Sequence, residues 1–291
     1  MSIPNSVLEQ IEVWAEEPIQ LISHQHIGHF TETAVIQFRP DMQYFLKYST
    51  DDTVDMGVEV RGLRTLNRLG CVNTPKVSYN GNRFILMDYI AKNRVGYNFF
   101  YDFGVQVAKM HEMKGDEFGL SYDNYIGPNL QSNLATKEEA RSWTLFFWNK
   151  RLLPQYELAK KNGLVDIYFS KSFHKFEEIY PMILLPVENE TPSLLHGDLW
   201  SGNYLVGNNG DPVLIDSAIY YGHREADLAM TSLFGGFEAD FYRGYHETNP
   251  LPSDWEERQN VYMLYHMLNH MNIYGEEYKA QAMGLMNYYL S

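Results

Sequence analysis

The stretch LLHGDLWSGNYLVGNNGDPVLID at residues 194–216 decides the fold class of this chain. Its two short apolar runs, 204–206 and 213–215, flank a segment rich in Gly, Asn, Asp and Pro. These residue types favour tight turns, so the stretch predicts a β-hairpin preceded by a loop that contains charged and polar residues.

Three polar residues of this stretch are candidates for phosphoryl-transfer chemistry. In the simplest register Tyr204 faces Ile215, which makes Asn203 and Asp216 cross-strand neighbours. Such neighbours have Cβ atoms about 4.5–5.5 Å apart, so an amide oxygen and a carboxylate could share a hard cation such as Mg²⁺. Asp198 precedes Asn203 by one tight loop, and a carboxylate there suits a group that orients a hydroxyl and accepts its proton.

The spacing of these residues resembles the kinase catalytic loop, in which an Asp is followed five positions later by a metal-binding Asn and then by a metal-binding Asp on the next hairpin. Asp and Asn are also common in turns for purely local reasons, so HisGlyAsp alone does not decide the matter. The combination of Asp198, Asn203, a hairpin and Asp216 favours the kinase interpretation.

A second pair of residues supports the same chemistry. Residues 55–69 predict a helix on which Glu59, Leu63 and Leu66 share one face. A carboxylate on an apolar face is costly unless it is paired, and Lys47 on the preceding strand is the natural partner. A strand Lys paired with a helix Glu holds ATP phosphates in kinases. The alternative places both side chains on solvated surfaces.

The pattern along the chain changes from strands to helices. Turn signals separate four apolar runs, at 33–38, 43–48, 76–79 and 83–87. From about residue 98 the pattern is mostly helical, with a capping box of Thr136 and Glu139 before a long helix that Pro154 must kink or split. We therefore expect an α+β, bilobal fold. A small antiparallel β lobe with one helix would span 1–90, and a larger, mostly helical lobe that carries the hairpin would span 91–291.

Composition excludes several classes of protein. The 291 residues carry 23 Lys and Arg against 37 Asp and Glu, a net charge of −14, which disfavours nucleic acid as a partner. One cysteine, Cys71, allows no intramolecular disulfide, and the N-terminus shows no export signal. No run of about 20 apolar residues suggests a membrane span. We expect a soluble cytoplasmic protein.

Four segments together resemble the fructosamine/ketosamine 3-kinase family of the aminoglycoside-phosphotransferase branch. They are HGDLWSGN at 196–203, ID at 215–216, YYGHREADLAM at 220–230 and YIGPNLQSN at 125–133. The extended strings are more selective than a bare kinase triad, and the similarity runs over most of the chain. The resemblance implies an ATP- and Mg²⁺-dependent kinase that phosphorylates the 3-hydroxyl of a ketosamine, on a small molecule or on a glycated protein lysine, as a deglycation step.

The resemblance also implies a protein-kinase-like fold, in which the lobe at 1–90 binds the nucleotide and the lobe at 91–291 carries catalysis and substrate binding. It further implies a role for individual residues. Asp198 would be the catalytic base, with Asn203 and Asp216 as metal ligands. The remaining roles are nucleotide binding by Lys47, Glu59, Gly28 and the hinge of Met87, Asp88 and Tyr89, substrate binding by Trp200, His223 and Arg224, and structural support by His196 and Asp227.

Physical reasoning alone leaves some of these residues open. Trp200 could stack on a sugar ring, although a Trp is more often a packing residue. Asp227 could instead be an acid favoured by the dipole of a helix N-terminus, and His111 is most simply a packing or surface residue.

Two departures from the family pattern concern the phosphate-covering turn and the hairpin. The turn SHQHIGH at 23–29 offers only Gly28 where the family usually has a Gly-Gly pair, and Ser217 stands where a Pro is common. Two alternatives therefore stay open. One is another small-molecule kinase of the aminoglycoside or choline kinase branch, and the other is a catalytically silent nucleotide-binding protein.

Overall fold

The computed structural model describes residues 3–26, 31–51, 54–235 and 237–291. The chain divides into two compact units, each with its own core. The first unit comprises Met1–Phe103 and Asn203–Ser217, and the second comprises Gly104–Gly202 and Ala218–Ser291. The predicted α+β, protein-kinase-like class is confirmed.

A five-stranded antiparallel sheet forms most of the first unit, with strand order β1-β2-β3-β5-β4. Its strands are β1 (Gln20–His26), β2 (Thr31–Arg39), β3 (Met42–Ser49), β4 (Val77–Asn80) and β5 (Phe84–Asp88). The two predicted hairpins are confirmed as β2-β3 and β4-β5, because alternating apolar residues and turn residues are local signals. The sequence analysis did not identify β1, whose run of His and Gln residues lacks that alternation.

Helices cover both faces of this sheet. They are α1 (Asn5–Ala15) and α2 (Gly57–Leu69). A third helix, α3 (Phe99–His111), begins in this unit. The helix predicted at 55–69 is confirmed as α2, and it ends at Gly70, which takes a left-handed conformation that glycine adopts without strain. Val7 and Ile11 of α1 pack on one sheet face, and Val60 and Leu63 of α2 pack on the other.

The hairpin of β9 (Tyr204–Val206) and β10 (Pro212–Leu214) belongs to the first unit. Leu214 N–H donates to the Asn73 carbonyl at 2.8 Å, and Gly96 N–H donates to the Gly210 carbonyl at 2.9 Å. The Tyr204 ring lies 5.6, 6.2 and 5.2 Å from the rings of Phe99, Phe100 and Phe103. The compact units therefore do not follow the predicted division at residues 90 and 91, since these long-range contacts were not visible in local patterns.

The second unit is mostly helical. Its helices are α4 (Trp143–Phe147), α5 (Leu153–Lys161), α6 (Ile167–Leu184), α7 (Glu225–Leu233), α8 (Ala239–Thr248), α9 (Gln259–Tyr274) and α10 (Lys279–Leu290). Two small antiparallel sheets accompany them, formed by β6 (Asn124–Ile126) with β7 (Asn129–Gln131) and by β8 (Ser193–Leu195) with β11 (Tyr220–Gly222). An aromatic core fills this unit, and within it Tyr156 stacks on Phe173 with ring centroids 3.9 Å apart.

The capping box is present, but the helical segment behind it begins only at Trp143 and is not a regular α-helix throughout. Thr136 N–H donates to the Glu139 carboxylate, and Glu139 N–H donates to the Thr136 hydroxyl. A 3₁₀ turn, α4, a π-helical turn at Trp148–Leu152 and α5 then follow in succession. The backbone stays helical from α4 through the π-helical turn into α5, so Pro154 is accommodated by a change of helix type and not by a break.

Among the described residues, no helix combines the length and the apolar character that a membrane crossing demands.

Candidate active site

Lys47 bridges two carboxylates in the first unit. Its Nζ lies 2.9 Å from Oε1 of Glu59 on α2 and 2.8 Å from Oδ1 of Asp216, which follows β10. The side chains of Lys47 and Glu59 are mostly buried, whereas that of Asp216 is about half-exposed. Burial opposes the charge on Lys47, but the two carboxylates overcome this and hold the pKa of its ammonium above the ordinary value.

Local structure explains why these groups meet. Lys47 lies on β3 opposite Thr33 of β2 and Ile85 of β5, on the sheet face that α2 covers. Glu59 lies in the first turn of α2 and points toward the same face as Leu63, as the helical spacing predicts. Burial raises the pKa of Glu59, and the Lys47 ammonium offsets part of that rise. The predicted ion pair between Lys47 and Glu59 is therefore present.

The register of the β9-β10 hairpin corrects the sequence prediction by one residue. Tyr204 pairs with Leu214 and not with Ile215, and Ile215 N–H donates to the Asn203 carbonyl at 3.0 Å. The turn contains five residues, 207–211, which is one fewer than the simplest register assumed. Asp216 therefore lies one position beyond the partner of Asn203, with a φ of 52°, in a left-handed conformation that Asp tolerates better than most residues.

Asn203 and Asp216 fit a Mg²⁺ ion that also binds phosphates. Both supply oxygen donors, and the Asp216 carboxylate is half-exposed although one of its oxygens accepts from Lys47. In the described ranges no group of three or more His, Cys, Asp or Glu residues could hold a metal by itself. Mg²⁺ commonly takes one or two protein ligands and completes its octahedron with water and substrate phosphate, so two oxygen ligands suffice.

The predicted adenine hinge lies at the end of β5. Asp88 N–H donates to the Lys76 carbonyl at 3.0 Å, and Lys76 N–H donates to the Asp88 carboxylate at 3.2 Å. The N–H of Asp88 is thus already used within the sheet, and the predicted roles of Met87 and Tyr89 stay predictions. Gly28, the predicted phosphate-loop glycine, lies outside the described residues.

In the second unit, Asp227 braces the loop that precedes Asp198. The backbone N–H groups of His196 and Gly197 donate to its two carboxylate oxygens at 2.7 and 2.8 Å. Asp227 is buried, and burial alone would raise its pKa. Hydrogen bonds from His111 and the backbone outweigh burial and hold the pKa of Asp227 below its usual value. The bracing contact implied for Asp227 is thus present. It acts on His196 and Gly197, the two residues that directly precede Asp198.

His111 completes this brace, a role that the sequence analysis missed. Its Nε2 lies 3.1 Å from Oδ2 of Asp227, and its Nδ1 lies 2.8 Å from the Tyr245 hydroxyl. Because an ionised Asp227 only accepts, the network assigns the proton to Nε2 and makes Nδ1 the acceptor of the Tyr245 O–H. Burial lowers the pKa of His111, so the ring stays neutral. No local signal could have found a contact that spans 116 positions.

Backbone geometry presents Asp198 at the end of a tight turn. Gly197 has a φ of 84°, and a Cβ there would lie 2.1 Å from the Ala218 carbonyl oxygen. Only glycine fits this position without displacing the backbone. The Ala218 N–H in turn donates to the His196 carbonyl at 2.9 Å, so the two residues that precede Asp198 are held.

His266 lies near Asp198 in space, and Trp200 lies two positions after it in the chain. Nδ1 of the buried His266 on α9 lies 3.9 Å from Oδ1 of Asp198, whose side chain is 20% exposed. Trp200 is half-buried, and its ring meets Phe234 edge-on with centroids 5.6 Å apart. Part of the Trp200 ring therefore stays accessible for the predicted sugar contact.

His223 and Arg224 are engaged in contacts within the second unit. His223 is buried, and its Nε2 lies 3.0 Å from the Glu190 carboxylate. Arg224 donates to the carbonyls of Asn249 and Pro250. These contacts are structural in character, and the predicted substrate role of both residues stays a prediction.

The segment YIGPNLQSN, singled out by resemblance, forms a buried amide network around residues 218–220. Asn124 donates to the Ile219 carbonyl at 2.8 Å, and Gln131 donates to the Ala218 carbonyl at 3.0 Å. The buried Arg151 guanidinium lies over the Tyr220 ring at 4.0 Å. Arg151 and this network were missed as individual residues because their partners are distant in sequence. The network fixes the chain two positions after Asp216.

A strand Lys paired with a helix Glu, a hairpin Asp bound to that Lys, and a braced loop Asp define the class of protein-kinase-like phosphotransferases. An ADP-bound aminoglycoside phosphotransferase has the same fold, with a TM-score of 0.63 at 18% identity over 98% of this chain and 97% of that one. At this identity the likeness concerns the fold alone.

Within that class, the chain belongs to the fructosamine kinase family, whose model matches residues 5–291. A Vibrio vulnificus protein assigned as a ketoamine kinase is 38% identical over 253 residues, or 83% of each chain. A chloroplastic protein-ribulosamine 3-kinase of Oryza sativa is 39% identical over 189 residues, covering 64% of this chain and 53% of the relative. A Thermobifida fusca crystal structure assigned as a fructosamine-3-kinase has a TM-score of 0.87 at 26% identity, covering 99% of both chains. The family identified from the sequence is confirmed.

Proposed function

We propose that this chain transfers the γ-phosphoryl group of ATP to the 3-hydroxyl of a ketosamine. The observation that carries the proposal is membership of the fructosamine kinase family along nearly the whole chain. The hydrogen-bonded set of Lys47, Glu59 and Asp216 supports it, because the set provides the charges that phosphoryl transfer requires.

In this proposal the first unit handles the phosphates. Lys47 presents a cation that is fixed by two carboxylates, so little reorganisation is needed when a phosphate approaches. Asn203 and Asp216 would hold Mg²⁺, which when bound neutralises charge on the phosphate oxygens. When Asp216 turns from Lys47 to the metal ion, Glu59 would keep the Lys47 ammonium in place. Met87 and Tyr89 would offer backbone groups to adenine.

Asp198 accepts the proton of the attacking hydroxyl. The hydroxyl oxygen forms a bond to the γ-phosphorus, the bond from that phosphorus to the β,γ-bridging oxygen breaks, and the proton passes to the Asp198 carboxylate. Gly197 and the Asp227 brace hold the backbone of the loop that carries this carboxylate. Such positioning supplies much of the rate in reactions of this kind.

Trp200 would contact the sugar of the acceptor through the accessible part of its ring. A ketosamine also carries an amine that is protonated near neutral pH, and a chain with net charge −14 attracts such cations. Aminoglycosides share this property, so the charge does not select the acceptor. The shape of the Trp200 loop is the feature that would select a small sugar.

The alternatives are less well supported. An aminoglycoside kinase activity rests on a likeness of fold at 18% identity, whereas a ketoamine kinase reaches 38%. A silent nucleotide-binding protein is disfavoured because Lys47, Glu59, Asp198, Asn203 and Asp216 are all present.

The test is ATP consumption with a panel of acceptors: ribulosamine, erythrulosamine, fructosamine and an aminoglycoside. We expect a ketosamine to exceed the aminoglycoside in kcat/KM by at least about a hundredfold. The product should carry phosphate on the 3-oxygen, which phosphorus-coupled NMR identifies. Comparable turnover of the aminoglycoside would overturn the substrate assignment. The same assay with a glycated protein in place of the free ketosamine separates the two kinds of acceptor.

A further inference from the structure

His266 has a polar atom without a visible function. The residue lies on α9 with its side chain 5% exposed. Its Nδ1 atom is buried and has no hydrogen-bond partner within the part of the chain that the structure describes. Leaving a buried polar group unsatisfied costs free energy, so native proteins rarely keep one without a reason.

The group that this atom faces is the proposed base. Oδ1 of Asp198 lies 3.9 Å from Nδ1, which is too long for a hydrogen bond. The distance exceeds that of a good hydrogen bond by only about 1 Å. Hydrogen bonds within catalytic sites are often long before substrate is bound and shorten when the complex forms. A small rotation of the short Asp198 side chain would close this gap.

The two side chains differ in how far they are buried. The His266 carbonyl accepts from Nδ1 of His270 within α9, and the neighbouring Tyr265 hydroxyl donates to Gln131 at 2.8 Å, which ties α9 to β7 beside the ring. The Asp198 side chain is 20% exposed, whereas that of His266 is 5% exposed. Rotation of the short carboxylate therefore displaces fewer neighbouring atoms than movement of the His266 ring.

The charge state of His266 suits a partner of a base. Burial lowers the pKa of His266 to about 3, so the ring is neutral near pH 7. A cation at this distance would depress the basicity of Asp198 strongly, whereas a neutral N–H donor orients the carboxylate with a smaller effect.

We infer that His266 is a positioning residue for Asp198: its Nδ1–H donates to Oδ1 when the acceptor binds and leaves Oδ2 to take the hydroxyl proton. This inference rests on the proposed kinase function. It assigns Oδ1 and Oδ2 different tasks, because a carboxylate held by one oxygen presents the other in a fixed direction.

The experiment compares H266L, H266N and H266Q with the unaltered chain. Asn places an amide nitrogen where Nδ1 lies, whereas Gln places it near the position of Nε2. We expect H266L to lower kcat with ribulosamine about tenfold and to leave the KM for ATP within twofold. H266N should restore kcat to within threefold of the unaltered chain, and H266Q should resemble H266L.

Two further measurements separate positioning from a merely structural role. H266L removes an unsatisfied buried polar atom, so its Tm should stay the same or rise, whereas loss of a structural contact would lower it. In a D198N background, H266L should cause no further loss of the residual kcat, because the effect passes through the Asp198 carboxylate. If H266L does not fold, the comparison of H266N with H266Q still decides.

A kcat within twofold of the unaltered chain in H266L, or equal rescue by H266N and H266Q, would overturn the role of His266 alone. Absence of ketosamine phosphorylation by the unaltered chain would overturn the proposed function and this inference with it. The two failures are therefore distinguishable.

Discussion

Nζ of Lys47 lies 2.8 Å from Oδ1 of Asp216, although the two residues stand 169 positions apart in the sequence. The same ammonium binds Glu59 at 2.9 Å, so one cation joins a strand, a helix and a hairpin. The charges that we propose to act on the nucleotide phosphates are thus mutually oriented before a nucleotide is present, which reduces the reorganisation that binding would otherwise require.

Replacing this ammonium should impair both activity and stability. We expect Lys47→Ala to lower kcat/KM for ATP about a hundredfold, because the fixed positive charge is lost. The free energy of unfolding should fall by about 1–3 kcal/mol, less than for a fully buried pair since these groups keep some contact with water. A double-mutant cycle with Glu59→Gln measures the coupling in kinetics and in urea unfolding. If the two substitutions are additive in both measurements, Lys47 and Glu59 do not act as a pair and behave like solvated surface residues.

Loss of the proposed base should affect turnover alone. Asp198→Asn keeps the size of the side chain but cannot accept the hydroxyl proton. We expect kcat to fall at least about a hundredfold, with the KM for ATP within threefold and the Tm within a few degrees. Steady-state kinetics beside nucleotide-binding calorimetry checks this. A kcat within a few-fold of the unaltered chain would show that another group takes the proton.

Trp200 should affect the choice of acceptor. We expect Trp200→Ala to lower kcat/KM for ribulosamine about tenfold and to leave ATP hydrolysis without acceptor nearly unchanged, since the ring contact concerns only the sugar. Trp200→Phe keeps an aromatic face and is the matched control. If the ratio of ribulosamine to aminoglycoside turnover stays the same in the Ala variant, the ring does not contact the sugar.

Gly197 should tolerate no side chain. In Gly197→Ala the new Cβ would lie 2.1 Å from the Ala218 carbonyl oxygen, so the loop before Asp198 must move. We expect a loss of roughly 3 kcal/mol or more in the free energy of unfolding together with loss of activity. Gly163→Ala is the matched control, because Gly163 also has a positive φ, of 75°, but an added Cβ there meets no atom within 4 Å. Its cost should be only about 1 kcal/mol, and equal effects of the two substitutions would contradict the steric argument.

Buried histidine should make the fold sensitive to mild acid. The folded-state pKa of His266 is about 3, below the value of about 6.5 in an unfolded chain. Between these values the unfolded state binds a proton that the folded state does not, so stability falls as the pH drops below about 6.5. His266 alone should contribute a loss of about 2 kcal/mol between pH 7 and pH 5. Urea unfolding at both pH values, with His266→Asn as the control, isolates this share, and identical pH slopes would refute it.

The local elements of the fold were predictable because their signals lie within a few residues. The β2-β3 hairpin and α2 follow from apolar spacing and from Gly70, and the pairing of Lys47 with Glu59 follows from the cost of an unpaired carboxylate on an apolar face. Residue types and spacings within short segments sufficed for these inferences.

Features set by turn length or by distant partners were not predictable. The register of Tyr204 with Leu214 depends on how many residues the turn consumes, and the sequence of that turn permits more than one length. The brace between His111 and Asp227 joins helices that are far apart in the chain. An aromatic and histidine-rich sequence offers many equivalent candidates for such contacts, and tertiary packing selects among them.

The position of residues 203–217 has a consequence for how the protein is made. The ribosome delivers residues 1–103 first, yet Tyr204, which lies against Phe99 and Phe103, emerges only after the intervening residues 104–202. Until then these rings lack their partner and the Asn73 carbonyl lacks the Leu214 N–H. A nascent chain or fragment that stops at Phe103 is therefore an incomplete folding unit with exposed aromatic surface, prone to association. The first unit can mature only after translation has passed residue 217.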